Sequence, residues 1–318
     1  MKRIESHIPR PSGAGRWRLP APFRTPFDLA RGAAYLGLAW GAGGQGLHLH
    51  LRAAALATRI ALRRGRLPAG GAHAWLVAPL DSVRYFELDF CWRHAAARSS
   101  GALRYLDLSS PRLFALLLLR ARPRLTGLLV NPDAKDLCVT AAALRDCGLQ
   151  ERCSVLEATA EGARLEADRF DLVTSISVLE HIPAPGDSRA LRLLWDAVAP
   201  GGQLLVTVPC AREAFEEHID RDEYGLLPRD ARGFVFGQRF YDEALLRETF
   251  FATCGEPGAL EIFGEREPGH FLADRARKND GTWKPWREPW ELATRWQRFA
   301  SIAKLPGLGV AAMSFIKP

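Results

Sequence analysis

Arg169–Pro183 reads RFDLVTSISVLEHIP, and Leu194–Pro209 reads LWDAVAPGGQLLVTVP. Phe170, Leu172, Val173 and Ile176 lack strict alternation, so the first stretch predicts a strand buried on both faces. Ser188–Val198 has helical spacing. Pro200-Gly201-Gly202 then forms a reversal in which glycine supplies positive φ, leading into an apolar strand over Gln203–Val208. The same rhythm holds upstream. Strands are expected over Leu103–Leu108, Gly127–Val130 and Cys153–Glu157, and helices over Pro111–Arg120 and Ala134–Cys147. Strands alternating with helices predict an α/β fold with a parallel sheet covered on both faces. Such sheets bind ligands beyond the carboxyl ends of their strands.

The phrase FDLV-x4-VLEHI, followed by a helix, a Pro-Gly-Gly turn and a strand ending in proline, resembles the class I S-adenosylmethionine-dependent methyltransferases of the type 11-like group. The resemblance covers Leu103–Pro209 well and the C-terminal hairpin loosely. It implies a Rossmann-like, seven-stranded sheet, parallel except for the last strand, with S-adenosylmethionine as cofactor.

The cofactor residues it implies are partly divergent. In YLDLSSPRLFAL, Asp107 matches the family's acid, but Ser109-Ser110-Pro111 replaces the glycines. Ser110 suits an N-cap and Pro111 a first helical position. At the end of the second strand Leu129 stands where the family has its ribose-binding acid. Asn131 and Asp133 are the substitutes, with Asp133 preferred; both also suit the start of a helix. Thr159 aligns with the adenine-contacting position. Ser175 and Glu180, at and after the end of the fourth strand, complete the cofactor set. The Val83–Glu87 segment either lays an aromatic over the cofactor or buries Phe86 in the core. His181 is the first candidate for a general base and His218 the second. Glu217, His218 and Asp222 match no tight metal template.

The flanks set the remaining expectations. Residues 1–67 hold twelve Lys/Arg against Glu5 and Asp28, while the rest holds 31 bases and 34 acids. The basic charge therefore belongs to an N-terminal extension, residues 1–70, and a nucleic-acid groove across the protein is not expected. Residues 1–27 read as an extended arm. HLHLRAAALATRIALRRG, residues 48–65, reads as a basic amphipathic helix that either packs on the body or touches an anionic membrane. The domain proper is 71–318, with a core at 102–209, an acidic substrate loop at 210–241 and a hairpin over 242–318 carrying an inserted cap. In that insertion Trp283, Trp286, Trp290 and Trp296 either line a pocket or clamp the cap. A hydrophobic fraction of 47% with 25% charged residues fits a folded soluble protein. No apolar run of membrane-spanning length, no secretory leader and no paired cysteine spacing points elsewhere, so a cytoplasmic protein is expected. The resemblance implies methyl transfer to a small-molecule, sugar or lipid-linked acceptor, through oxygen or nitrogen. The alternative, prompted by the altered loop, is a binding or scaffold protein that has lost turnover.

Overall fold

A computed structural model describes residues 1–8, 21–68, 71, 73–96, 103–221, 225 and 227–318. Among the described residues, the α-helices α1 (Ala21–Gly41), α2 (Leu47–Arg64) and α3 (Arg84–Ala96) precede the core. A short strand, β1 (Lys2–Ser6), stands before them. The core runs β2 (Leu103–Leu108), α4 (Arg112–Ala121), β3 (Leu125–Asn131), α5 (Ala134–Cys147), β4 (Cys153–Glu157), β5 (Phe170–Ile176), α6 (Gly186–Ala197) and β6 (Val198–Cys210). Then come β7 (Phe215–Ile219), β8 (Val235–Phe240), the short helices α7 (Glu243–Leu246) and α8 (Ala252–Cys254), and β9 (Ala259–Glu265). The chain ends with α9 (His270–Asp280), α10 (Glu288–Arg295), β10 (Trp296–Phe299) and β11 (Gly309–Ile316).

The main sheet has the order β10-β9-β11-β6-β5-β2-β3-β4. The pairs β3–β4, β2–β3, β2–β5 and β5–β6 are parallel, and β11 is antiparallel to both β6 and β9. The expected α/β architecture is present with eight strands instead of seven. The extra strand is β10, which comes from the inserted cap and pairs antiparallel to β9. Strand order reverses between β2 and β5, and a ligand cleft opens at such a switch point. Both faces of the sheet are covered, as a central parallel sheet requires. Leu172 and Ile176 of β5 face the core under α2–α5, and Val173 faces the core under α6. The glycine turn lies inside β6: Gly201 has φ +68°, and a Cβ on Gly202 would stand 2.6 Å from the Ala199 carbonyl oxygen.

The N-terminal expectations need correction. Residues 2–6 are not a free arm: β1 pairs parallel to β7, which pairs antiparallel to β8 in a second, three-stranded sheet. Ile8 is buried with Ile219 and Val235. Asp220 accepts from the Ile8 N–H at 3.0 Å, and Arg3 is bonded to Asp230. Residues 9–20 of the expected arm lie outside the described residues. Helix α2 spans nearly the expected range and packs on the body through Leu49, Ala53, Leu56 and Ile60. Arg64 and Arg66, just before and after its C-cap, both bind Asp146 of α5, so part of the basic charge is internally neutralised. The substrate loop is likewise more ordered than expected, because β7 and β8 fall within it; Asp222 lies outside the described residues. The cap tryptophans clamp. Tyr35 of α1 packs on Trp286 and Trp290, with ring centroids 5.1 and 5.8 Å away, and Trp296 stacks on Phe263.

Deleting residues 1–8 is expected to destabilise the protein by about 1.5–3 kcal/mol, the burial of one large aliphatic side chain, because Ile219 and Val235 lose the Ile8 cover. Urea unfolding of the full and shortened chains measures it; equal midpoints would show that β1 contributes nothing.

Candidate functional site

Two adjoining cavities open at the carboxyl ends of the core strands. The larger, about 840 Å³, is lined by the turn after β2 (Ser109 to Leu113), the end of β3 (Asn131 to Asp133), Thr159 to Glu161 after β4, and Ser177 and Val178 after β5. Its size lies within the usual range for cofactor sites, roughly 300–1,000 Å³. The smaller, about 180 Å³, lies between the turn after β5, the β7–β8 sheet and α9. Arg84, Ser177, His181, Ile219 and Gly237 line both.

The turn after β2 keeps a glycine-like shape without glycine. Ser109 has φ +52°, in the left-handed region that glycine adopts freely. Its N–H donates to the Val130 carbonyl at 2.8 Å, which ties the turn to β3. Ser177, at the end of β5, also has positive φ, +51°. Strained residues concentrate where the surroundings hold them for a purpose. Ser110 is not the N-cap that the sequence suggests. Its hydroxyl accepts from the Ile176 N–H at 2.9 Å, and α4 starts at Arg112 with Pro111 in the cap position.

Asp107 lies beneath this turn and lines neither cavity, a correction to its reading as a cofactor contact. The Ser110 N–H donates to it at 3.1 Å, the Tyr105 hydroxyl at 3.2 Å and the Thr174 hydroxyl at 2.5 Å. Burial raises its pKa against those bonds. Its chemistry is positional: it holds the turn that forms the cavity floor. Ser175 is also corrected. It is fully buried in the sheet, away from both cavities.

Asn131 and Asp133 do line the large cavity, and both also build the start of α5. Asn131 accepts from the Asp133 N–H at 2.9 Å, and Asp133 accepts from the N–H groups of Lys135 and Asp136 at 2.8 and 3.2 Å. The N-cap role is therefore established alongside cavity exposure. Asp136 lines the cavity as well, held by Arg112 and Asn131. Sequence reasoning missed it, although its place in the first turn of α5 was a usable signal. Thr159 lines the same cavity and accepts from the Gly162 N–H at 3.1 Å.

His181 stands in the wall shared by the two cavities. Its Nδ1 lies 2.6 Å from the Gly237 carbonyl oxygen, so Nδ1 carries the proton and Nε2 the lone pair. Burial pushes its pKa down to about 4, against that hydrogen bond, and the ring is neutral. His218 is not in the site. Alternation along β7 points Glu217 and Ile219 into the small cavity and His218 away, with its ring edge-on to Phe236. Glu180 lines the small cavity and not the cofactor-sized one, a further correction. It is 2% exposed, and burial, with Glu87 nearby, pushes its pKa up to about 8.

Helix α3 closes the site from above. Glu87 is fully buried and accepts from the Ser177 hydroxyl at 2.6 Å, the Thr207 hydroxyl at 2.8 Å and the Arg84 guanidinium at 2.5 Å. Burial would lower the Arg84 pKa, but Glu87 and Asp81 outweigh it and the guanidinium stays charged. Phe86 stacks on Phe263 in the core, with centroids 4.6 Å apart, and does not face the cavities.

Residues 112–249 match the model of the methyltransferase domain family. Over that stretch the chain is similar to a methyltransferase domain. No curated protein matches the sequence. Among solved structures, MccD protein superposes with a TM-score of 0.50 at 12% identity, over 76% of this chain and 99% of that one. Geranyl diphosphate C-methyltransferase from Streptomyces coelicolor A3(2) superposes at 0.48 and 8% identity, over 77% and 82%. At such identities the likeness is one of fold.

Within residues 112–249, Glu180 gives a pH signature. Below about pH 4.5, the ordinary value, folded and unfolded chains both hold the Glu180 proton. From there to about pH 8 only the folded chain retains it, so its contribution to stability falls as pH rises. Glu180→Gln is therefore expected to gain thermal stability relative to the parent between pH 5 and pH 9. Scanning calorimetry at both values reads this; a constant difference would mean the carboxyl is not held protonated.

Proposed function

We propose that the chain transfers the methyl group of S-adenosylmethionine to an oxygen or nitrogen of a compact acceptor: a small molecule, a sugar or the headgroup of a lipid-linked glycan. The observation that carries this is the pair of adjoining cavities. One is of cofactor size at the switch point of the sheet, and the other is small and polar beside it. Bound in the large cavity, S-adenosylmethionine supplies a methyl group on an electrophilic sulfonium.

The residues present fit that cofactor. The Ser109 turn and the first N–H groups of α4 suit a carboxylate at the cavity floor. Asp133 and Asp136 bring carboxylates toward the position of the ribose, and Thr159 stands on the next strand's turn. The retained left-handed turn at Ser109 favours this reading over a scaffold that has lost its cofactor. Catalysis then rests mainly on orientation, because the small cavity adjoins the large one through a common wall and aligns the acceptor for in-line attack.

Isothermal calorimetry with S-adenosylhomocysteine tests the reading. Binding in the micromolar range, about −8 kcal/mol, is expected. No heat and no thermal stabilisation at millimolar ligand would support the scaffold.

Peripheral contact with an anionic membrane through residues 1–67 is a separate proposal. Arg59 and Arg63 are exposed on α2, and Phe27, Leu38 and Trp40 are exposed on α1. Among the described residues no helix is long and apolar enough to cross a membrane. Flotation with phosphatidylserine vesicles is expected at low salt and lost at high salt, as screening requires. Protein that never floats would exclude the contact.

A further inference from the structure

The small cavity holds one chemical anomaly. Its cations are matched: Arg84 binds Glu87, Arg275 binds Glu217, and Lys278 binds Asp81 at 2.8 Å. Glu180 is different. Its Oε1 lies 3.9 Å from His181 Nε2, and its Oε2 is buried with no hydrogen-bond partner among the described residues. A buried oxygen left in this state costs about 1–3 kcal/mol, more when charged. Two other carboxyls buried in the core differ: Glu87 and Asp107 each take three donors. Glu180 also sits directly before His181, in the wall shared with the cofactor-sized cavity.

Resting on the methyltransferase reading above, we propose that Glu180 is the catalytic base of the small cavity, and that its Oε2 receives the proton of a compact hydroxyl- or amine-bearing acceptor without net negative charge. The acceptor's O–H or N–H bond gives its proton to Oε2. The acceptor atom bonds the methyl carbon, and the carbon–sulfur bond breaks to leave a neutral thioether. Charge balances: a sulfonium and a carboxylate become a thioether and a carboxylic acid.

The surroundings favour this assignment over His181. The ring already donates through Nδ1, and with its pKa pushed down to about 4 it holds a proton poorly at neutral pH. A carboxyl near 8 is matched to the task. Burial sets this value first; Glu87 of α3 raises it, while Arg84 and the Ser177 hydroxyl lower it, and Tyr241 after β8, His181 beside it, and Asp81, Glu217, Arg275 and Lys278 are the other charged and titratable groups around it. Phe271, Val83, Val310 and Ile8 supply apolar walls, so a compact ring or chain fits behind the reacting group. An anionic acceptor meets three carboxyls, Asp81, Glu180 and Glu217, and cations that are already paired.

The test uses the full chain saturated with S-adenosylhomocysteine. Ethanolamine, glucose and catechol are the hydroxyl and amine probes, and acetate and inorganic phosphate are the anionic controls. Calorimetry is expected to show millimolar or tighter binding of at least one hydroxyl or amine probe and none of the anions. Glu180→Gln is expected to weaken that binding while holding S-adenosylhomocysteine within twofold of the parent. With tritiated S-adenosylmethionine, the probe that binds is expected to be methylated with a rate rising toward a midpoint near pH 8, and Glu180→Gln to lower it by about 100-fold. Glu180→Asp is expected to keep part of the rate. Anions binding as well as the others, no hydroxyl or amine probe binding, or an unchanged rate and pH profile in Glu180→Gln would each overturn the proposal. Parent protein that ignores S-adenosylhomocysteine would instead overturn the methyltransferase reading itself.

Discussion

A single buried carboxylate fixes the site. Glu87, on α3, reaches across the top of the sheet to hydroxyls at the ends of β5 and β6, and its third partner is Arg84 one turn earlier on its own helix. Each bond has a consequence. Ser177 is held in its left-handed conformation at the end of β5. Thr207 locks the neighbouring strand beside it. Arg84 is presented to both cavities. Removing a partner from a buried charge of this kind costs about 3–5 kcal/mol, well above the typical effect of a surface change. The helix before the core is thus part of the active architecture and not an appendage to it.

A second constraint is backbone shape. The turn after β2 takes left-handed φ at Ser109, its first residue, where the resemblance implies glycine. This protein uses serine at some conformational cost. Asp107 makes that tolerable. It gathers the Ser110 N–H, Tyr105 and Thr174 beneath the turn, while Ser109 is bonded to β3 above it. A loop that looks degenerate by composition therefore still makes a left-handed turn. The family acid acts here by holding the turn from below.

The fold was legible because its signal is periodic and local. Phe170–Ile176 reads as a strand buried on both faces, and the Pro-Gly-Gly turn as a reversal of the chain. The site was legible where side chains follow the strand ends: Ser109, Asn131, Asp133, Thr159 and His181 all reach a cavity. It was not legible where facing decides. Residues 215–219 alternate, but only pairing with β1 and β8 tells which side is inward, so His218 and Glu217 exchange importance. Glu180 reads as a cofactor contact until the short turn over Leu179–His181 sends it to the other cavity. The arm was misread because a five-residue strand carries little pattern of its own; its partner lies more than 200 residues away.

The two cavities differ in where their walls originate. Most of the larger one is built from the core sheet's turns and the start of α6, largely within the region that matches the methyltransferase domain family, with Arg84 from α3 and Ile219, Val235 and Gly237 from the second sheet. The smaller one draws Ile8 from the N-terminus, Asp81 to Arg84 from the approach to α3, Phe271, Arg275 and Lys278 from α9, and Val310 from the last strand. These segments lie outside residues 112–249. The smaller cavity thus joins segments from outside 112–249 to Ser177, Glu180, His181, Glu217 and Gly237 from within it. Ion pairs hold those parts together: Arg275 to Glu217 joins α9 to β7, and Lys278 to Asp81 joins α9 to the loop before α3.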